Sequence, residues 1–185
     1  LNLVVDKQTR RVLGIQGCDK DGSAVKARTD VVAAMLQMGK PTINDLANAE
    51  VCYAPPFAGA MDVLNAVANA ADNVIAGRNV AIDPDGFMKL WNAREENNYF
   101  FVDFRPARAG IAIQERHPDS YLSLPLEDLE NRVAEIPSDR PIVLVCNTGT
   151  RSYEAQLRLR KLGIDTINTY GGHEAFRKRG NGENF

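Results

Sequence analysis

The stretch VLVCNTGTRS, residues 143–152, places a thiol where a strand pattern ends and an arginine one loop later. Val143 to Val145 form an apolar, largely β-branched run, and Cys146 closes it. Asn147, Thr148, Gly149 and Thr150 follow, then Arg151 and Ser152 open a helical pattern. A helix N-terminus turns its free N–H groups and positive dipole end toward whatever precedes it. A thiol seated there loses its proton more readily and becomes a nucleophile. Gly149 admits a backbone shape closed to other residues. Its small neighbours Thr148 and Thr150 let N–H groups converge on an anion. Arg151 adds a permanent charge with a fork of donors, and Ser152 adds a hydroxyl. The competing reading is a strand-end cysteine packed beside an unrelated surface arginine, since single cysteines are usually core residues.

Such a loop needs a sheet behind it. PIVLVC is a continuous apolar strand of the kind found in sheets buried on both faces. YFFVDF (99–104) and IDTINTY are further strands. Helical patterns lie between them: PDGFMKLWNAREENN with Phe87, Leu90 and Trp91; LPLEDLENRVAEI with Leu126, Leu129, Val133 and Ile136; YEAQLRLRKLG; and a final HEAFRKRG. Strands alternating with helices predict an α/β fold with a parallel sheet flanked by helices. Sites in such sheets gather beyond the carboxyl ends of strands, where Cys146 sits. The basic runs at 158–161 and 177–179 read as solvated helix faces.

The first eighty residues have another rhythm. Residues 3–5 and 12–15 predict a β-hairpin, KDGS (20–23) a turn, and DVVAAMLQMG a helix with Val31, Ala34, Met35 and Met38 on its apolar face. Thr42 with Asp45 makes a helix start for TINDLANA. Beyond Pro55 and Pro56, Ala60, Leu64, Val67, Ala71 and Val74 predict a helix that stops near Gly77. GRNVAIDPDG (77–86) reads as a linker. The expected organisation is therefore a smaller α+β unit, an antiparallel sheet plus helices over residues 1–78, and a larger α/β unit over 82–185.

The chain has 185 residues, 44% hydrophobic and 25% charged, which suits one large or two small globular domains. A formal charge of -2 gives no reason to expect nucleic acid as a partner. No apolar run is long enough to span a membrane. Cys18, Cys52 and Cys146 are widely spaced and match no metal motif, so a reducing, cytoplasmic setting is expected and no metal. The chain starts without Met, inside a strand-like pattern, which reads as part of something longer.

CNTGTRS, followed by YEAQLRLRKLGIDTINTYGGHEAF, resembles the rhodanese family, whose members carry a C-x-x-G-x-R-S loop and a later strand leading into Gly-Gly. Asp103 and Arg105 match that family's early Asp-x-Arg strand. Arg116-His117-Pro118 resembles its Gly-His-Ile-Pro region only loosely, because Arg116 replaces the glycine and the isoleucine is missing. The resemblance spans about residues 82–180. It implies a sulfurtransferase in which Cys146 takes sulfane sulfur from a donor as a persulfide and yields it to a thiol acceptor. Amides of residues 147–151, Arg151 and Ser152 would stabilise that persulfide, an anion that needs oriented donors. Cysteine phosphatases and arsenate reductases resemble this arrangement but place five residues between cysteine and arginine. The four residues Asn147 to Thr150 favour sulfur. A silent docking or sensing module is the non-enzymatic alternative.

The upstream residues, above all YAPPFAGAMDVLNAVAN, resemble the dimerisation domain of flavin-dependent pyridine nucleotide-disulfide oxidoreductases, the coenzyme A-disulfide reductase and persulfide reductase subgroup in particular. Tyr53, Pro55, Pro56, Asp62 and Asn65 follow the subgroup, while Ala58, Gly59, Met61 and Leu64 depart from it. This resemblance implies homodimerisation through residues 1–78, helped by Ala60, Ala66, Ala68, Ala70 and Ala71. It also implies FAD, NAD(P)H and coenzyme A as cofactors of the parent enzyme. No GxGxxG fingerprint occurs here, so no cofactor is expected on this chain. Tyr53 would reach a partner's redox cysteine in that subgroup, or else pack beside the Pro-Pro turn. Cys18 and Cys52 read as core or interface cysteines, His117 and His173 as turn or capping residues, and Asp103 with Arg105 as an ion pair at the sheet edge.

Overall fold

A computed structural model describes residues 1–178 and 180, and the chain divides into two units, Leu1–Arg78 and Asn79–Phe185. In the first, β1 (Asn2–Val5) and β2 (Val12–Gln16) pair antiparallel, with Asn2 opposite Gln16. The Asp6 carboxylate closes their turn by accepting from the N–H groups of Gln8 and Thr9. Helix α1 (Gly22–Met38) begins eight residues before the expected Asp30. The KDGS turn is its start: the Asp21 side chain accepts from the N–H groups of Ser23 and Ala24. Val31 and Met35 of its expected apolar face pack against this unit's core beside the buried Val32, while Ala34 and Met38 (88% exposed) face away.

Thr42 and Asp45 form the reciprocal cap of α2 (Ile43–Ala47), as their spacing predicts. Helix α3 (Val63–Ile75) starts three residues after the expected Ala60, because Asp62 caps it through the Leu64 N–H at 2.9 Å. Asp62 is also the buried partner of Arg28, at 2.7 Å. Asn65 donates to the carbonyls of Leu46, Ala47 and Ala49 and ties α3 to the end of α2. Val12, Val32, Ile43, Leu46, Leu64 and Ala68 form this unit's core.

The second unit is a five-stranded parallel sheet in the order β3-β7-β6-β4-β5: β3 (Ala81–Ile82), β4 (Phe100–Asp103), β5 (Tyr121–Ser123), β6 (Ile142–Val145) and β7 (Thr166–Thr169). The expected linker 77–86 thus contains the edge strand β3 and the start of α4 (Pro84–Asn92), capped by Asp83. Helix α5 (Ala107–Arg116) and β5 are additions to the sequence reading. LPLEDLENRVAEI is a short helix α6 (Leu129–Arg132) between two 3-10 turns rather than one helix. Helices α7 (Thr150–Lys161) and α8 (Gly172–Lys178) follow the sequence pattern, and Arg179 of the second basic run lies outside the described residues. In the first run, Arg158 bonds Glu154 at 2.5 Å across one turn of α7.

Side chains alternate faces along a strand, so one parity of β4 and β6 faces each layer. Phe100, Val102, Ile142 and Leu144 pack with Leu129, Ala155 and Leu159 of α6 and α7. Phe101, Val143 and Val145 pack with Phe87, Trp91, Ile113 and Phe176 of α4, α5 and α8. Both layers are apolar, which is why these strands read as continuous hydrophobic runs. Cys146 continues the Ile142–Leu144 parity toward α7, and Asp103 continues the Phe101 parity toward α8. No helix among the described residues is long and apolar enough to cross a membrane.

Candidate active site

Cys146 lies at the carboxyl end of the central strand β6 and is buried. Three further residues, Asn147 to Gly149, complete the turn, and α7 starts at Thr150. Gly149 has φ +94°, and a Cβ there would stand 2.9 Å from the Thr169 carbonyl, so no side chain fits. Its N–H donates to the Cys146 Sγ at 3.2 Å. The Ser152 hydroxyl donates to the same sulfur at 3.4 Å from one turn into α7. Burial pushes the thiol up, but bonds from the Ser152 hydroxyl and from the N–H groups of Ser152, Thr148 and Gly149 prevail and hold its pKa below the ordinary thiol value. A thiolate so held is a competent nucleophile.

The remaining loop residues are placed differently. Asn147 and Thr148 are exposed, and the Thr148 and Thr150 hydroxyls lie 3.2 Å apart. Arg151 is exposed, with Nη1 3.4 Å from the Phe104 carbonyl, at the end of β4. The sulfur is therefore contacted by Gly149 and Ser152, while the Arg151 side chain reaches the Phe104 carbonyl instead. The outer side of the loop is held by α8: the N–H groups of His173 and Glu174 donate to the carbonyls of Cys146 (3.0 Å) and Asn147 (2.9 Å). Sequence reasoning had no signal for these bonds beyond the Gly-Gly pair that precedes them.

A model of the rhodanese-like domain matches residues 87–179, half of the chain. The chain belongs to the rhodanese-like family. A sulfurtransferase of Allochromatium vinosum is 39% identical over 64 residues, 34% of this chain and 59% of that protein. The chain thus spans less than two thirds of that relative. Among solved structures, reduced Bacillus anthracis CoADR-RHD matches 96% of this chain and 31% of its own (25% identity, TM-score 0.73). A NAD-dependent persulfide reductase from A. fulgidus matches 92% and 28% (30% identity, TM-score 0.70). The rhodanese-like domain and the sulfurtransferase relative support an enzyme of the sulfurtransferase type.

Behind the rhodanese loop lies a second buried cluster. Asp103, fully buried, accepts from Arg105 Nε at 2.8 Å and from the Tyr121 hydroxyl at 2.7 Å. β4 lies between β6 and β5, so this ion pair sits inside the sheet and not at its edge as expected. Burial raises the Tyr121 phenol well above its ordinary pKa, and the Asp103 charge adds to it. Removing Asp103 would leave the Arg105 guanidinium without its buried counter-charge and the Tyr121 phenol without its acceptor. Asp103→Ala is therefore expected to cost about 3–5 kcal/mol in urea denaturation. Asp103→Asn should cost less, because its carbonyl still accepts from Tyr121.

His173 stands beside that cluster, with Nε2 3.9 Å from Asp103 Oδ2 and its ring edge-on to Phe176. Burial, then the Arg105 charge, lower its pKa to about 4 against the opposing pull of Asp103. The folded chain thus refuses a proton that the unfolded chain accepts below the ordinary histidine value, about 6.5. Stability is complete above that value and is lost as pH falls toward 4. Between pH 7 and 5 the loss should be about 2 kcal/mol. His117, which ends α5, is lowered by its own burial and by Arg94 and Arg116, and acts in the same direction. Urea denaturation of His173→Gln at both pH values isolates the His173 share, which should vanish in that variant.

Tyr53 belongs to the first unit and is 60% exposed. Cys18 and Cys52 are exposed too, which corrects the core reading for both: each falls in a turn or loop segment outside the core cluster. All three cysteines are free.

Proposed function

We propose that this chain carries sulfane sulfur on Cys146. A sulfur donor is attacked by the Cys146 thiolate; the sulfane sulfur forms a bond to Sγ as its bond to the donor breaks, and the donor leaves with the electron pair. A thiolate acceptor then attacks the outer sulfur and restores the Cys146 thiolate. The observation that carries this reading is the convergence of the Gly149 N–H and the Ser152 hydroxyl on a buried sulfur at a strand end. Arg151, exposed near the start of α7, supplies positive charge for an anionic donor. Asn147, Thr148 and Thr150 complete the loop that surrounds the persulfide.

The likeness of nearly the whole chain to parts of CoADR-RHD and of a persulfide reductase supports a wider setting. There the chain belongs to an FAD- and NAD(P)H-dependent reductase of persulfides or coenzyme A disulfides, and residues 1–78 form a dimerisation domain. Phe57 (85% exposed), Met61 and Val63 border a cleft of about 530 Å³ that also holds Arg28 and Asp62. Apolar side chains left so exposed favour contact with a second copy, and Tyr53 would then face the partner's site. Free, widely spaced cysteines accord with a reducing cytoplasm.

The deciding test is mass spectrometry of the chain after exposure to thiosulfate or polysulfide. A gain of one sulfur atom on Cys146, discharged by cyanide or a thiol, is expected. An unmodified Cys146 under both donors would sink the sulfurtransferase reading and leave a docking module.

A further inference from the structure

The peptide between Asn147 and Thr148 has two ends. Its carbonyl accepts from the Glu174 N–H at 2.9 Å, on the α8 side. Its N–H is among the donors that lower the Cys146 thiol. A trans peptide is planar, with C=O and N–H opposed, so fixing one end aims the other. The preceding peptide is held in the same way, by the His173 N–H on the Cys146 carbonyl at 3.0 Å. The first turn of α8 therefore sets the direction in which the loop presents donors to sulfur. That turn carries the His173 side chain, only 14% exposed. It is wedged between Asp103, which Arg105 and Tyr121 hold, and Phe176, whose ring centroid lies 5.5 Å away.

We infer that His173 is a positioning residue for Cys146, joining the buried Asp103–Arg105–Tyr121 cluster to the cysteine loop through the first turn of α8. It acts through the loop and not on the sulfur itself, by holding the Cys146 and Asn147 carbonyls outward so that the Thr148 N–H faces the sulfur. The polar edge of the ring meets Asp103 and its flank meets Phe176, so two variants separate the parts. His173→Phe keeps an aromatic flank and loses the polar edge. His173→Gln keeps a polar tip near the Nε2 position and loses the ring.

The inference rests on Cys146 being the working thiol, but its readout, the ultraviolet thiolate titration of Cys146, needs no sulfur transfer. Cys18 and Cys52 are replaced by serine beforehand so that one thiol reports. His173→Phe should raise the midpoint by about one pH unit, a tenfold loss of thiolate below it. His173→Gln should titrate close to the parent. A Phe variant that titrates like the parent, or a Gln variant shifted as far as Phe, would overturn the assignment. If the Phe variant fails to fold, the parent chain supplies the test by amide NMR. The Thr148 N–H resonance should follow the His173 ring as it titrates, and a resonance blind to it would overturn the idea. A chain that shows these shifts yet loads no sulfur would refute the sulfurtransferase reading alone. A chain that loads sulfur with an unshifted midpoint in His173→Phe would refute the positioning role alone.

Discussion

A Cys146→Ser chain should fold like the parent and transfer no sulfur from thiosulfate to cyanide. The sulfur of Cys146 lies among Ile142, Leu144, Ala155 and Leu159, and serine is the smaller side chain, so the fold loses some packing and gains no clash. The chemistry loses its nucleophile outright, because a serine hydroxyl in the same seat stays protonated at neutral pH. The expected drop is about 10³-fold or more, to the uncatalysed background. Ser152→Ala sharpens the test. It removes the hydroxyl that leads the bonds lowering the thiol, and burial then counts for more. Its thiol midpoint should rise by about one pH unit, with transfer about tenfold slower at neutral pH. The rate should return at a pH above the new midpoint, which a misfolded loop would not allow. An active Cys146→Ser chain would overturn the mechanism.

That experiment turns on residues legible in the sequence. Cysteine, glycine and serine at a strand–helix junction carry their chemistry in their types and spacing, and local rules place all three. The partnership of Arg151 was less legible: a fork of donors one residue into a helix can reach the sulfur or the neighbouring strand, and here it stands by the Phe104 carbonyl. Other features depended on contacts far apart in sequence. Asp103 and Tyr121 are eighteen residues apart and meet only because β4 and β5 pair in register. Helix α5 lies in a segment whose Arg-His-Pro draws attention away from its periodicity. The start of α1 is hidden for a local reason. An aspartate that accepts from N–H groups two and three residues on closes a turn and caps a helix by the same bonds. Only the residues after Ser23 decide between turn and helix, and Val25 is the one large apolar side chain before Val31.

Gly172→Ala should be the most damaging single methyl group in the second unit. Gly172 has φ +48°, where an L side chain is strained, and a Cβ there would lie 2.1 Å from the Cys146 carbonyl oxygen and 2.8 Å from the Asn147 carbonyl. Those atoms are backbone and cannot swing aside as a side-chain tip would. They are also the carbonyls that α8 holds through His173 and Glu174. Relief requires moving the loop off α8 or α8 off the sheet, where Phe176 is buried between Phe87 and the strands. The expected cost is about 3–5 kcal/mol in urea denaturation. Gly163→Ala supplies the comparison, since Gly163 shares a positive φ (+78°) but has nothing within 4 Å of a built Cβ. It should cost only about 1 kcal/mol, the conformational part. The excess at Gly172 measures the close approach, and it should appear again at the sulfur. Any folded Gly172→Ala chain should show a raised Cys146 thiol midpoint, because the displaced peptides no longer aim their N–H groups inward. Equal costs at the two glycines would mean that the loop can retreat from α8 without penalty, and that the helix does not govern the thiol.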